Sequence, residues 1–366
     1  MGQMADHEHA TDADDRQGQQ SVPRETVATA APSAVSISIA PEATPIAEAA
    51  AAAVRLRGPG PDEVFPAPAT PRRICVANQK GGVGKTTTAV NVAAALALHG
   101  LHVLLVDLDP QGNASTALDA PHHAGVPSMY DVLIHGRPLA DVTVPVTDIP
   151  GLLCAPATID LAGAEIELVS MVAREARLAR ALDAYLEDAT AAGRRVDYVL
   201  IDCPPSLGLL TVNGFVAAAE VLIPIQCEYY ALEGLGQLLN NVDLIRGHLN
   251  SGLRVTTIVL TMYDARTRLS EQVAAEVRQH FGAAVLRTAV PRSVRLSEAP
   301  SYGQSIHTYD PGSPGALCYL DVARDVAHRG AGLSTPAAAE AAGDPEPTAG
   351  HDREPGAGLP EAGEVP

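Results

Sequence analysis

The chain has 366 residues, 46% of them hydrophobic by type, and a formal net charge of -18 at pH 7. Its acidity excludes bulk attraction to nucleic acid while leaving room for a local basic patch. No stretch approaches the roughly 18 uninterrupted apolar residues that span a bilayer, and no basic start followed by an apolar run marks a signal peptide.

The five cysteines, Cys75, Cys154, Cys203, Cys227 and Cys318, stand singly. That pattern suits neither a zinc site nor a disulfide scaffold and predicts a reduced, cytoplasmic protein. Residues 1–70 hold ten Asp or Glu against four Arg, and residues 331–366 hold seven against one. Both segments are rich in Ala, Pro and Gly, a composition that cannot bury enough apolar surface to offset chain entropy. The expectation is a disordered acidic tail over 1–70, one folded domain over 71–330 and a second disordered acidic tail over 331–366. Inside the first tail, Pro45–Arg57 reads either as Ala-rich linker or as a short helix with a docking or regulatory role.

From residue 72 short β-branched runs alternate with helical stretches. Arg73–Ala77 reads as a strand, Thr86–His99 as a helix and His102–Val106 as a second strand. Further strands are expected at Leu152–Cys154, Asp197–Ile201, Glu220–Ile225 and Val255–Leu260, with helical patterns near 161–190, 230–248 and 270–280. There is no internal repeat. Strands alternating with helices predict an α/β domain: a mostly parallel sheet flanked by helices on both faces, with ligands at the carboxyl ends of the strands.

The segment Gln79-Lys80-Gly81-Gly82-Val83-Gly84-Lys85-Thr86-Thr87 follows the first strand and opens the first helix, the context that a phosphate loop needs. Glycines let the backbone turn its N–H groups toward phosphate oxygens, and the helix N-terminus adds favourable dipole charge. Lys85 is placed to reach the β and γ phosphates of ATP, and the Thr86 hydroxyl to bind Mg²⁺. Gln79 stands where the strict motif has its first glycine. Lys80 adds a second ammonium, which repels the first unless a polyanion lies near both, so it serves its own nucleotide or a neighbour's.

Two further strands end in acids. Val103–Asp107 runs into Leu108, Asp109 and Pro110, setting Asp107 at a strand end as a candidate metal-site acid and Asp109 just beyond it. Tyr198–Asp202 is four apolar positions followed by an acid, the form of a Walker B strand. Asp202 is expected to hold the Mg²⁺ hydration shell, and Asp109 to orient or deprotonate the attacking water.

These segments resemble the ParA/Soj chromosome-partitioning ATPases of the deviant Walker A group that includes MinD. The likeness is carried by Asn78–Thr88 (NQKGGVGKTTT), Val106–Ala114 (VDLDPQGNA), Ile201–Ser206 (IDCPPS), Pro224–Gly236 (PIQCEYYALEGLG), Leu260–Ala265 (LTMYDA) and Pro291–Gly303 (PRSVRLSEAPSYG). The resemblance implies a P-loop NTPase that forms an ATP sandwich homodimer, with Lys80 reaching the partner's phosphates. It further implies Lys85, Thr86 and Thr87 holding phosphates and metal in cis, Asp109 placing the water, and Pro291 and Ser293 touching the adenine. Many members of the family have Asn where Ser293 stands.

From the same resemblance come non-specific DNA binding on the nucleoid and hydrolysis stimulated by a ParB-type centromere-binding partner. Arg266, Arg268, Arg287, Arg292 and Arg295 cluster late in an otherwise acidic domain and are the candidate DNA contacts. Pro311–Pro314 is uncharged where relatives often carry a basic residue. A MinD-type membrane ATPase is the alternative, but it needs a basic amphipathic C-terminal helix, and 332–366 offers Pro, Glu, Gly and Ala. A metallocluster reductase would need cysteines at a dimer face, where Cys203 stands alone. A small-molecule kinase or ligase would leave Lys80 without a task.

Overall fold

In the computed structural model of the chain, residues 63–229 and 231–332 are described. The remainder of the two expected tails, including Pro45–Arg57, lies outside the described residues. One boundary changes: Phe65 was expected in the first tail, yet it is 2% exposed and stacks on His99 with centroids 4.4 Å apart. Its amide donates to the His99 carbonyl at 2.9 Å, and Glu63 pairs with Arg324 at 3.6 Å. A single aromatic in a Pro/Ala run gives no periodic signal, so this docking is invisible locally.

Eight strands form one sheet: β1 (Arg72–Val76), β2 (Val103–Asp107), β3 (Val144–Pro145), β4 (Leu152–Ala155), β5 (Tyr198–Asp202), β6 (Glu220–Gln226), β7 (Arg254–Tyr263) and β8 (Val285–Pro291). The order is β3-β4-β2-β5-β1-β6-β7-β8, parallel except for the short edge strand β3 against β4. Successive residues of the central strands alternate between two cores, as the twofold period of a strand requires. Cys75 and Ala77 join one core; Ile74 and Val76 join the other. Both faces are therefore apolar, which is why these strands read as unbroken hydrophobic runs rather than as alternating ones.

The helix Lys85–Leu98 is Ala-rich and buried along most of its length, packed between the sheet and the helix Pro314–Gly330. The expected helical span near 161–190 is two helices, Leu161–Leu168 and Arg177–Ala191. They are separated where Ala173 adopts φ 51° and where Asn213 donates to the Arg174 carbonyl at 2.8 Å and accepts from the Leu178 amide at 3.2 Å. Strand β8 and the helix Pro314–Gly330 were not expected. The latter carried a legible signal, Ser313 before Pro314, and the Ser313 hydroxyl indeed accepts from the Ala316 amide at 3.3 Å. This framework sets the carboxyl ends of β1, β2 and β5 side by side, with Val76 abreast of Asp202 and Asp202 abreast of Asp107.

Candidate functional site

The loop from Asn78 to Gly84 leaves β1 at the middle of the sheet. Gly84, with φ 86°, caps the helix Lys85–Leu98, and Gly82 has φ 75°; side chains other than glycine are strained at such angles. No atom comes within 4 Å of where a Cβ on Gly81 or Gly82 would sit, so the loop's outer side is open. Its inner side is tied to two strands. Asn78 donates through Nδ2 to the Pro224 carbonyl at 2.7 Å and accepts the Lys80 amide at 3.0 Å. Thr261 of β7 donates through Oγ1 to the Val83 carbonyl at 2.8 Å. Neither Asn78 nor Thr261 was expected as a support, because partners so distant in sequence leave no local pattern.

Lys85 is 7% exposed and its Nζ donates to the Lys80 carbonyl at 3.2 Å. Burial lowers its pKa, opposed by the negative charges of Asp202 and Asp109. Lys80 is turned elsewhere: its ammonium pairs with Glu228, just past β6, and both side chains are about a third exposed. The two lysines therefore differ, one facing the acids of its own chain and the other at the surface.

The acids differ as well. Asp107 is fully buried and saturated: Oδ1 accepts the Asp109 amide at 3.1 Å, while Oδ2 accepts the Ser115 amide at 2.9 Å and the Ser115 hydroxyl at 2.7 Å. Asp109, 7% exposed, accepts the Gln111 amide at 3.0 Å and reaches the wall of the open cleft. Asp202 is also fully buried, yet neither carboxylate oxygen has a partner at hydrogen-bonding geometry, although the Thr86 hydroxyl lies close enough to favour its charged form. A buried, unsatisfied carboxylate beside a hydroxyl is the donor set that a hard oxygen-seeking cation takes. The residues present thus fit Mg²⁺ at Thr86 and Asp202, and fit it less well at Asp107, which already accepts three hydrogen bonds.

Burial pushes the Asp107 carboxyl up to about 6, against the Ser115 and Asp109 bonds. Asp202 is raised too, first by burial and then by the charge of Asp107. Both acids bind their protons more tightly folded than unfolded. Their contribution to stability is complete below the ordinary carboxylate value of about 4, and it is lost as the pH rises through the folded values. In EDTA and without nucleotide, the melting temperature is therefore expected to rise as the pH falls from 7 toward 5, less steeply in Asp202→Asn. A wild-type profile no steeper than the variant's would contradict the assignment.

The cleft, about 460 Å³, begins at Gly81, Lys85 and Thr86 and continues past Thr87 and Asn91. One wall is Asp109, Gln111 and the short helix Asn113–Ala117; the other is Met262 and residues Leu296–Pro300, with Gln304. Pro291 and Ser293, the expected base contacts, are not among its lining residues. The chain turns at Ser293 into the helix Val294–Glu298, and residues after that turn line the cleft.

Of the candidate DNA contacts, Arg266, Arg287, Arg292 and Arg295 are exposed, as is Arg268. Arg266 pairs with Asp264 at 2.8 Å, and Arg292 lies close enough to act on the same carboxylate. Arg295 is bound to its own surroundings: Glu298 at 3.3 Å, Asp310 at 3.5 Å and the Tyr309 ring at 5.9 Å. Its charge is offset. Cys203, the thiol nearest the site, is fully buried against Cys75 with the sulfurs 3.2 Å apart, and burial and Cys75 raise its pKa. Its sulfur lies inside the protein and not at the surface.

Comparison with known proteins agrees with this geometry. A family model described as an AAA domain matches residues 71–255. The chain is 52% identical over 257 residues to the sporulation initiation inhibitor protein Soj of Bacillus subtilis, covering 70% of this chain and 98% of that protein. It is 50% identical over 258 residues to the chromosome partitioning protein ParA of Caulobacter vibrioides, covering 70% and 94%. Among solved structures it is similar to a cobyrinic acid a,c-diamide synthase from Mycobacterium smegmatis with bound ATP analog and magnesium. There the TM-score is 0.60 at 37% identity, covering 71% of this chain and 96% of that one.

Proposed function

The chain belongs to the ParA/Soj family of chromosome-partitioning ATPases, and from that premise we propose that it is an ATP-driven DNA-partitioning protein. In this reading it binds ATP with Mg²⁺, pairs with a second copy across the nucleotides, holds DNA without reading bases, and releases it when a ParB-type centromere-binding protein stimulates hydrolysis.

The observation that carries the reading is the pair of lysines on one loop. Lys85, among its own acids, neutralises the β and γ phosphates in cis. Lys80 sits at the surface, held by Glu228. Lys85 already faces the phosphates of its own nucleotide, and the phosphates of a second copy give the second ammonium a more highly charged partner than a single carboxylate. Loop amides and Thr87 complete the phosphate cradle. Mg²⁺, when bound, neutralises charge on the phosphates, with Thr86 and Asp202 holding it or its waters. Asp109, at the cleft wall, orients or deprotonates the water that attacks.

A MinD-type membrane protein would share this nucleotide site. No described helix is long and apolar enough to cross a membrane, and the segment after residue 332 lacks the basic, bulky composition that grips a bilayer surface. An ATP-dependent synthase like the Mycobacterium relative would leave Lys80 and the Pro224–Gly236 segment without a task. The proposed location is therefore the cytoplasm, on the nucleoid.

ATP hydrolysis measured with DNA and a centromere-binding partner, separately and together, tests the class. Strong synergy is expected, and additive or absent stimulation would remove partitioning while leaving an ATP-binding protein. For the DNA surface, Arg287→Glu is expected to weaken retention and to lower the slope of log affinity against log salt by about 1, with basal hydrolysis unchanged. An unaltered salt dependence would discard this arginine.

A further inference from the structure

Asp107 and Asp202 end neighbouring strands abreast of each other but are held in different ways. Asp107 is fixed by three hydrogen bonds to its carboxylate, whereas the carboxylate of Asp202 accepts none. Besides the nearby Thr86 hydroxyl, the aim of Asp202 rests on its backbone and on the packing of the side chain that follows it. The backbone is pinned on both sides: the Leu108 amide donates to the Asp202 carbonyl at 2.9 Å, and the Cys203 amide donates to the Val76 carbonyl at 3.3 Å.

The next side chain, Cys203, is fully buried in a tight triangle. The Cys75 sulfur of β1 lies 3.2 Å away, and Gly214, inside the helix Leu209–Ala217, faces both sulfurs. A Cβ on Gly214 would sit 2.7 Å from the Cys203 sulfur, 3.4 Å from the Cys75 sulfur and 3.5 Å from Leu108 Cδ1. Gly214 is not among the residues with positive φ, so its backbone does not call for glycine. Alanine is the better helix former; what the position requires is space. A methyl there meets both sulfurs and crowds that of Cys203 most, so the relief has to come from β5 at the residue that follows Asp202.

We propose that Cys75, Cys203 and Gly214 form a packed wedge that sets the position of Asp202 and so tunes Mg²⁺ binding from behind the strand. They are positioning residues and touch neither metal nor nucleotide. The inference rests on the reading of Asp202 as the metal-site acid.

The test is a titration of the full-length protein with a fluorescent ATP analogue, in EDTA and across Mg²⁺ concentrations. Gly214→Ala is expected to raise the Mg²⁺ concentration for half-maximal binding roughly 10- to 100-fold, the usual cost of disturbing a support behind a metal ligand. Affinity in EDTA is expected to stay at the wild-type level. The double variant Cys203→Ala/Gly214→Ala is expected to recover, because the sulfur that the new methyl crowds is then gone. Should Gly214→Ala fail to fold, Cys75→Leu crowds the same sulfur from the other strand and is expected to give the same Mg²⁺ shift. Wild-type Mg²⁺ dependence in the variant that folds would overturn the proposal, as would an equal loss with and without Mg²⁺ or a double variant that does not recover. Absence of any Mg²⁺ effect in the wild-type protein would instead overturn the reading of Asp202 on which it stands.

Discussion

Lys85→Ala will abolish measurable magnesium-dependent ATP binding. Lys85 is 7% exposed, and its ammonium stands near Asp202 and Asp109. Truncating one partner of a buried charge pair between two molecules costs about 2–5 kcal/mol of binding. Each 1.4 kcal/mol is about a tenfold change in affinity, so losing the lysine–phosphate contact is expected to weaken ATP binding by about thirtyfold or more. Lys85→Arg does not rescue, because a planar fork replaces a compact point charge in a site whose depth fits the latter. Isothermal titration with ATP and Mg²⁺ checks this, and equal affinity of Lys85→Ala and wild type would remove the phosphate-loop assignment.

Much of this site was legible in the sequence because its parts are local. Glycines at 82 and 84 mark a turn whose angles only glycine takes freely, the strand before and the helix after follow from periodicity, and Asp107, Asp109 and Asp202 follow apolar runs. What the sequence did not disclose are the contacts between distant segments. Ser115 saturates Asp107 from the next helix, Asn78 is tied to Pro224, and Thr261 holds Val83 across 178 positions. Lys80 reads as a residue with a free task, yet Glu228 holds it in this state, a pairing set by the proximity of β1 and β6. The motif around Pro291–Ser293 is recognisable, but where the chain turns after β8 decides which side chains face inward, and the walls belong to Met262 and Leu296–Pro300.

Asp109→Ala separates binding from turnover. Asp109 reaches the cleft wall beside Lys85 and Thr86, and its Oδ1 accepts the Gln111 amide, which fixes the carboxylate. Asp107 and Asp202 lie behind the surface, fully buried. Of the three acids, only Asp109 stands where an attacking water could touch it. A positioned base contributes typically about 10²–10⁴-fold to such a step. Hydrolysis in Asp109→Ala is therefore expected to fall by at least about a hundredfold, while ATP affinity stays near wild type because Lys85, Thr86 and Asp202 remain. The variant should accumulate as an ATP-bound dimer, seen as a doubled mass in ATP by light scattering and a monomer in ADP. Loss of ATP affinity in step with turnover would instead make Asp109 part of the metal site. In that case the water would have to be oriented from the other wall of the cleft, with Gln304 the polar side chain there best suited to it.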